Sequence, residues 1–264
     1  MMHFRLRFWK AKPVIVLELH GTLAARMGAL NIAGYGRLID AAVNAAAERG
    51  TLLLDIESPG GSPVQSDLIA ARIRRRAEAK GIKVVAVIGE VGASGGYWLA
   101  CAADEIVANP MSVVGSIGVI GGGFGAGGAL ARLGVQRRLY TAGANKARLD
   151  PFSPEKPADV AFVRDLLGQL HERFKTWVRS RRGARLTADE DKIFDGGWML
   201  GERALAVGLI DRLGDLDAEI RRIGGEKAQA AVFRPRRRGL LGRLPRLTAD
   251  ALAEVLEAAE RPRL

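Results

Sequence analysis

Hydrophobic and polar positions alternate along this chain in two rhythms, short apolar runs and longer stretches with helical spacing. Val14-Ile15-Val16-Leu17-Glu18-Leu19 is short and β-branched and predicts a strand. Residues 35–48 bring Leu38, Ile39, Ala42 and Val43 onto one face and predict a helix. Residues 51–56 predict a second buried strand, closed by Ser58-Pro59-Gly60-Gly61, and residues 64–79 a helix with a basic face at Arg72, Arg74, Arg75 and Arg76. Residues 83–88 predict a third strand, running into a loop from Gly89 to Gly96. A helix at 97–102 and short strands at 105–108 and 136–140 follow. Repeated alternation of strand and helix predicts an α/β fold, with mainly parallel sheet and crossover helices.

Further along, Val163, Leu166, Leu167, Leu170, Phe174, Trp177 and Val178 recur at helical spacing, an amphipathic stripe that belongs to a core or a subunit interface. Residues 200–223 form the last predicted folded unit. Arg234-Pro235-Arg236-Arg237-Arg238 marks a linker, and Thr248 opens a small helix with Leu252, Val255, Leu256 and Ala259 on one face. The predicted division is a basic segment at 1–12, one large domain at 13–231, and a basic linker with a short amphipathic helix at 232–264.

Charge changes the picture less than its total suggests. The net charge is +11, but residues 1–12 carry four basic groups and no acid, and residues 232–264 carry eight arginines against four acids. A dedicated nucleic-acid domain needs a basic face with aromatic stacking, and the charged ends hold little aromatic content, so no nucleic-acid partner is expected. Basic ends suit an anionic lipid surface, or simply keep the protein in solution. Neither a secretion signal nor a spanning segment is legible. The expected location is cytoplasmic, with peripheral membrane association through the ends. The one cysteine, Cys101, sits in an apolar run and reads as core. The three histidines, His3, His20 and His171, are scattered and predict neither a zinc site nor a histidine-based triad.

Three features carry chemistry. In Ser58-Pro59-Gly60-Gly61-Ser62, proline fixes the chain and two glycines let backbone N–H groups face a bound oxygen, as an oxyanion hole requires; a plain turn reads the same way. In Gly92-Ala93-Ser94-Gly95-Gly96, a serine flanked by small residues at a strand-to-helix turn is open to attack a carbonyl, although a helix-capping serine shares this pattern. Lys146 in Ala142-Gly143-Ala144-Asn145-Lys146 is by residue type a surface charge. Desolvated, it could serve as a base for a serine hydroxyl.

Taken in order, Glu57-Ser58-Pro59-Gly60-Gly61-Ser62, Ala93-Ser94-Gly95-Gly96-Tyr97 and Gly115-Ser116-Ile117-Gly118-Val119-Ile120 resemble the signal peptide peptidase A family. Gly143-Ala144-Asn145-Lys146 with Pro151-Phe152, and Gly201-Glu202-Arg203-Ala204-Leu205 with Gly208-Leu209-Ile210-Asp211, extend the resemblance over residues 14–216. It implies a Clp-protease/crotonase-like fold of repeated ββα units, a homo-oligomer, and serine peptidase cleavage of hydrophobic peptides without metal or cofactor. By position, Ser94 is the implied nucleophile and Lys146 the general base. The amide of Gly61, with that of Ser94 or Gly95, is the implied oxyanion hole, and Ser116 orients the lysine. The family's dyad can be completed across a subunit boundary. This sequence departs from the family at Glu57, where a neutral residue is expected, at Asn145, where a bulkier one is, and in lacking the usual N-terminal anchor.

Other readings are weaker. A crotonase-like acyl-CoA enzyme shares the fold but has no use for Ser94 with Lys146. Gly123-Phe124-Gly125-Ala126-Gly127-Gly128 fits a dinucleotide fingerprint, but no carboxylate ends the strand predicted after it. A non-catalytic scaffold that binds peptide or membrane has no physical need of Ser94, Ser116 and Lys146 together.

Overall fold

The computed structural model describes residues 13–235. In chain order the elements are β1 (Val14–His20), α1 (Ile32–Ala46), β2 (Thr51–Ser58), α2 (Pro63–Lys80), β3 (Lys83–Ala93), α3 (Gly95–Ala100), β4 (Glu105–Ala108), β5 (Val113–Gly115) and α4 (Gly127–Arg132). Then come α5 (Pro157–Arg182), α6 (Glu190–Ile193), β6 (Trp198–Leu200), α7 (Gly201–Ala206), β7 (Arg212–Leu213), α8 (Leu216–Gly224) and β8 (Ala230–Phe233). The eight strands join one sheet in the order β6-β5-β3-β2-β1-β8, with β4 on β3 and β7 on β4. Every pairing is parallel except β5 with β6, as the alternation of elements predicts.

The three central strands are near-continuous apolar runs because both faces of the sheet are covered. On one face Leu17, Leu54 and Ala86 pack with Ile39 of α1, Ile69 and Ile73 of α2 and Leu99 of α3. On the other, Val16, Leu53, Val85 and Val107 meet Leu216, Ile220 and Ile223 of α8. Local signals set the helix ends. Asn31 accepts from the Gly34 N–H at the start of α1, Ser62 caps α2 before Pro63, and α2 stops at Gly81 in the left-handed region.

Three expectations need correction. The predicted loop from Gly89 is strand as far as Ala93, because β3 changes partners. Val85–Ile88 pairs with β4, and Val91–Ala93 pairs with β5. The departing residue Glu57 holds this switch, its carboxylate accepting the N–H groups of Glu90 at 2.7 Å and Val91 at 3.1 Å. Residues 136–140 form no strand; they are exposed and find no sheet edge to pair with. An unpredicted strand, β8, joins the sheet edge, Val16 pairing with Val232 and Leu17 with Phe233. The helix expected from Thr248 lies outside the described residues.

α5 is docked by its C-terminal half, where Phe174, Val178 and Arg182 are buried at i, i+4 and i+8. Trp98 packs against Phe174 and Trp177 with ring centroids 5.1 and 5.8 Å away, each pair contributing about 0.5–1.5 kcal/mol beyond the area it buries. The buried Arg182 guanidinium pairs with Asp211 at 2.8 and 3.1 Å and donates to the Gly208 carbonyl at 3.0 Å. These residues hold α5 against α3, the helix that begins where β3 ends.

Candidate active site

β3 ends at Ala93, and the chain turns at once into α3. Ser94 makes that turn with φ 51° and ψ −120°, dihedrals that a type II′ turn normally reserves for glycine. Its N–H donates to the Gly115 carbonyl at 2.8 Å, and its carbonyl accepts from Trp98 N–H at 2.9 Å. Its hydroxyl does not cap α3, so the capping alternative falls away.

The Ser58–Gly61 turn lies directly against Ser94. A Cβ on Gly60 would stand 2.6 Å from Gly95 N and 2.8 Å from Ser94 Cβ, so only glycine permits this approach. Ser58 Oγ ties the turn to β1's exit, donating to the Gly21 carbonyl at 2.7 Å. Leu23 pairs with the turn through the Gly60 carbonyl and the Ser62 N–H, so the Gly61 N–H faces away from it. The N–H groups of Gly61 and Gly95 find no acceptor among the described residues, and both glycines line one cleft with Ser94.

Ser116 enters the same cleft from the neighbouring strand. Ala93 and Gly115 are register partners in β3 and β5, so Ser94 and Ser116 follow side by side, and both have φ 51°. Ser116 N–H donates to the Gly197 carbonyl at 2.6 Å. The cleft is about 610 Å³, with Pro59, Trp98, Val119, Leu170, Phe174 and Trp198 giving it apolar walls.

His171 and Asp195, which sequence reasoning set aside or missed, also line it. The Ile117 carbonyl can only accept, so His171 Nε2–H donates to it at 2.9 Å and braces the segment carrying Ser116. Asp195 accepts the Gly197 N–H at 2.7 Å. His171 falls on the amphipathic stripe next to Leu170, which was the available signal; nothing in the local sequence of Asp195 marked it.

Lys146 stands elsewhere. It is exposed, in a segment without strand that follows α4, and it is not among the residues that wall the cleft. Its N–H donates to the Gly143 carbonyl at 3.2 Å, and Asn145 Oδ1 accepts from Arg148 at 2.8 Å. Within one chain, then, Ser94, Gly61, Gly95 and Ser116 come together and Lys146 does not join them. Cys101, read from the sequence as core, is buried, and burial pushes its thiol up to about 12, which disfavours the thiolate.

The last sequence motif is structural. A Cβ on Gly201 would collide with the Asn109 carbonyl, one on Gly208 with the Arg185 carbonyl, and Asp211 holds Arg182. The glycines at 123–128 border no strand end, and Gly127 opens α4 with its Cα close to the Phe152 carbonyl.

A family profile described as "Peptidase family S49" matches residues 76–230, which spans β3, Ser94 and Ser116. The chain belongs to peptidase family S49, the signal peptide peptidase A family. Its mainly parallel sheet with flanking helices accords with the Clp-protease/crotonase-like fold of S49 members. Relatives include a probable protease SohB of Haemophilus influenzae, 32% identical over 208 residues, covering 79% of this chain and 57% of that protein. A putative protease, slr0021, of Synechocystis sp. is 35% identical over 164 residues, covering 62% of this chain and 58% of its own. A Na(+)/H(+) antiporter NhaA of Brucella abortus is 41% identical over 241 residues, covering 89% of this chain and 32% of the antiporter. The chain thus spans about a third of the antiporter and less than two thirds of these proteases.

Proposed function

We propose that this S49 chain is a serine endopeptidase that cleaves hydrophobic peptide segments, such as remnant signal peptides or misfolded stretches, through an acyl-enzyme on Ser94. The observation that carries this reading is the union of a strained serine whose side chain caps no helix with two N–H groups that find no acceptor among the described residues, in an apolar cleft. Ser94 Oγ attacks the peptide carbonyl. The oxyanion is received by the amides of Gly61 and Gly95, and the hydroxyl proton passes to a neutral lysine and then to the leaving amine. Water hydrolyses the ester by the reverse proton route.

Lys146 supplies the base from a neighbouring copy, with Ser116 beside Ser94 to orient its Nζ. The exposed apolar side chains of the segment leading to Lys146 support that assignment. Ile120 is 97% exposed, Phe124 93%, Leu133 75% and Tyr140 89%, more apolar surface than one segment of a water-soluble monomer ordinarily leaves open. Docking this segment on a second chain would cover it and carry Lys146 to the partner's cleft. A station at the membrane face fits the homologous third of the Brucella antiporter, while among the described residues no helix is long and apolar enough to cross a membrane.

The test is hydrolysis of an apolar peptide by the wild type, Ser94→Ala, Lys146→Ala and an equal mixture of the two variants after dissociation and reassembly. Each variant alone is expected to be inactive. The mixture should regain a fraction of wild-type activity, because some interfaces then pair an intact Ser94 with an intact Lys146. Cleavage surviving Ser94→Ala would end the mechanism. A mixture that stays inactive while Lys146→Ala alone is dead would place the lysine within its own chain.

A further inference from the structure

On the sheet face opposite the cleft, the last polar positions of β1 and β2 form a compact group. Glu18 and Asp55 are register partners on adjacent parallel strands, and His20 and Glu57 are partners one step on. Two carboxylates side by side on one sheet face repel each other. Glu57 is already engaged by two backbone N–H groups of β3. The guanidinium of Arg234 comes only to 3.8 Å from Glu18 and is largely exposed, so it offsets the negative charge weakly.

We propose that Glu18, His20 and Asp55 form a binding site for one divalent transition-metal ion of the zinc class. One ligand atom from each residue lies within 4.8 Å of the others. His20 Nε2 is 3.0 Å from Asp55 Oδ2, and Nδ1 is 3.8 Å from Glu18 Oε1. Bonds of about 2.0–2.2 Å to one nitrogen and two carboxylate oxygens need the ligand atoms only a few ångströms apart, so small side-chain rotations suffice. An imidazole with two carboxylates favours zinc, cobalt or manganese over the all-oxygen shells that calcium and magnesium take. His20 and both carboxylates are partly exposed, which gives the ion a path in and leaves a coordination position for water.

The site has a structural consequence. β1 leaves it through Gly21–Leu23 and β2 through Ser58–Gly61, the two segments that pair to present the Gly61 N–H. An ion bridging the strands just before their exits fixes that pairing from the opposite face of the sheet.

The experiment is titration of the full chain with Co²⁺, read by visible absorption, alongside thermal unfolding with and without Zn²⁺. Wild type, His20→Ala, Asp55→Asn and Glu18→Gln are compared, with His171→Ala as a reference. Wild type should bind about one equivalent with low-coordination cobalt bands and gain Tm with zinc, as must any native state that alone binds a ligand. Each ligand variant should bind about 100-fold more weakly or worse, beyond the 10–100-fold that changes behind the ligands cost, while His171→Ala keeps wild-type cobalt affinity. Three folded variants, two of them isosteric, keep the test sound if one fails to fold. No cobalt spectrum in the wild type overturns the proposal. So does a spectrum that persists in the ligand variants or disappears in His171→Ala.

Discussion

Ser94 sits at dihedrals that nearly every residue but glycine avoids, and that strain is measurable apart from chemistry. The perturbation is a pair of substitutions, Ser94→Ala and Ser94→Gly. Both remove the hydroxyl, so both are expected to abolish peptide cleavage, and their difference isolates the backbone. Holding a residue with a Cβ at φ 51° and ψ −120° costs about 1–3 kcal/mol, which glycine does not incur. Glycine loses about 0.5–1 kcal/mol more in backbone entropy on folding than alanine. Taking the middle of those ranges, Ser94→Gly should be more stable than Ser94→Ala by about 1 kcal/mol, worth about 2–4 °C in Tm for a domain of this size. Urea unfolding at unchanged m-value is the assay, with the midpoint as readout. A Ser94→Gly protein no more stable than Ser94→Ala would refute the claim that the turn carries backbone strain.

Arg182→Met leaves Asp211 without its buried partner and should cost about 3–5 kcal/mol in chemical denaturation, whereas Arg185→Met, at the exposed edge of the same carboxylate, should cost under about 1 kcal/mol. The Lys83 ammonium and the Arg212 guanidinium hold Glu105 down to about 2, from an ordinary 4.5. Its stabilisation is complete above pH 4.5 and is lost as pH falls toward 2. Because the pair is partly exposed, that loss is about 1–2 kcal/mol, and Glu105→Gln should flatten it in acid-unfolding curves. Gly96→Ala drives a Cβ into the Ser58 carbonyl and should destabilise the fold and cleavage together, measured by Tm and peptide turnover. A chain trimmed to residues 13–235 keeps β8 and should cleave as the full chain does; loss of turnover in a well-folded trimmed chain would give the ends a part in the site or the assembly.

The central architecture was legible because β1, β2 and β3 are buried on both faces and their helices repeat apolar residues at helical spacing. Boundaries slipped where tertiary pairing decided them. Gly89 to Ala93 looks like loop by composition, yet it is strand because β5 offers a second edge once Glu57 has capped the switch. Residues 136–140 have strand-like composition and no edge to join. Gly61, Ser94 and Gly95 were marked by local motifs, since each sits in a special turn that its neighbours spell out, and Ser116 by the family resemblance. His20 and His171 were read as scattered because what gives each its partner is register between strands, or a helix laid across a sheet, at separations of 35 and 54 residues.

The partner switch in β3 has one more consequence, in the domain of exchange kinetics. Ser94 follows directly on the longest strand among the described residues, and its amide is locked to β5, so the proposed nucleophile belongs to a slow-opening unit. Lys146 belongs to a segment with few buried contacts, where amides exchange early. Hydrogen exchange should thus separate the two residues of the proposed dyad, with Ser94 protected late and Lys146 exchanging early. On the proposed reading, each chain holds Ser94 in place by itself, and reactivity waits on the docking of the segment that carries Lys146.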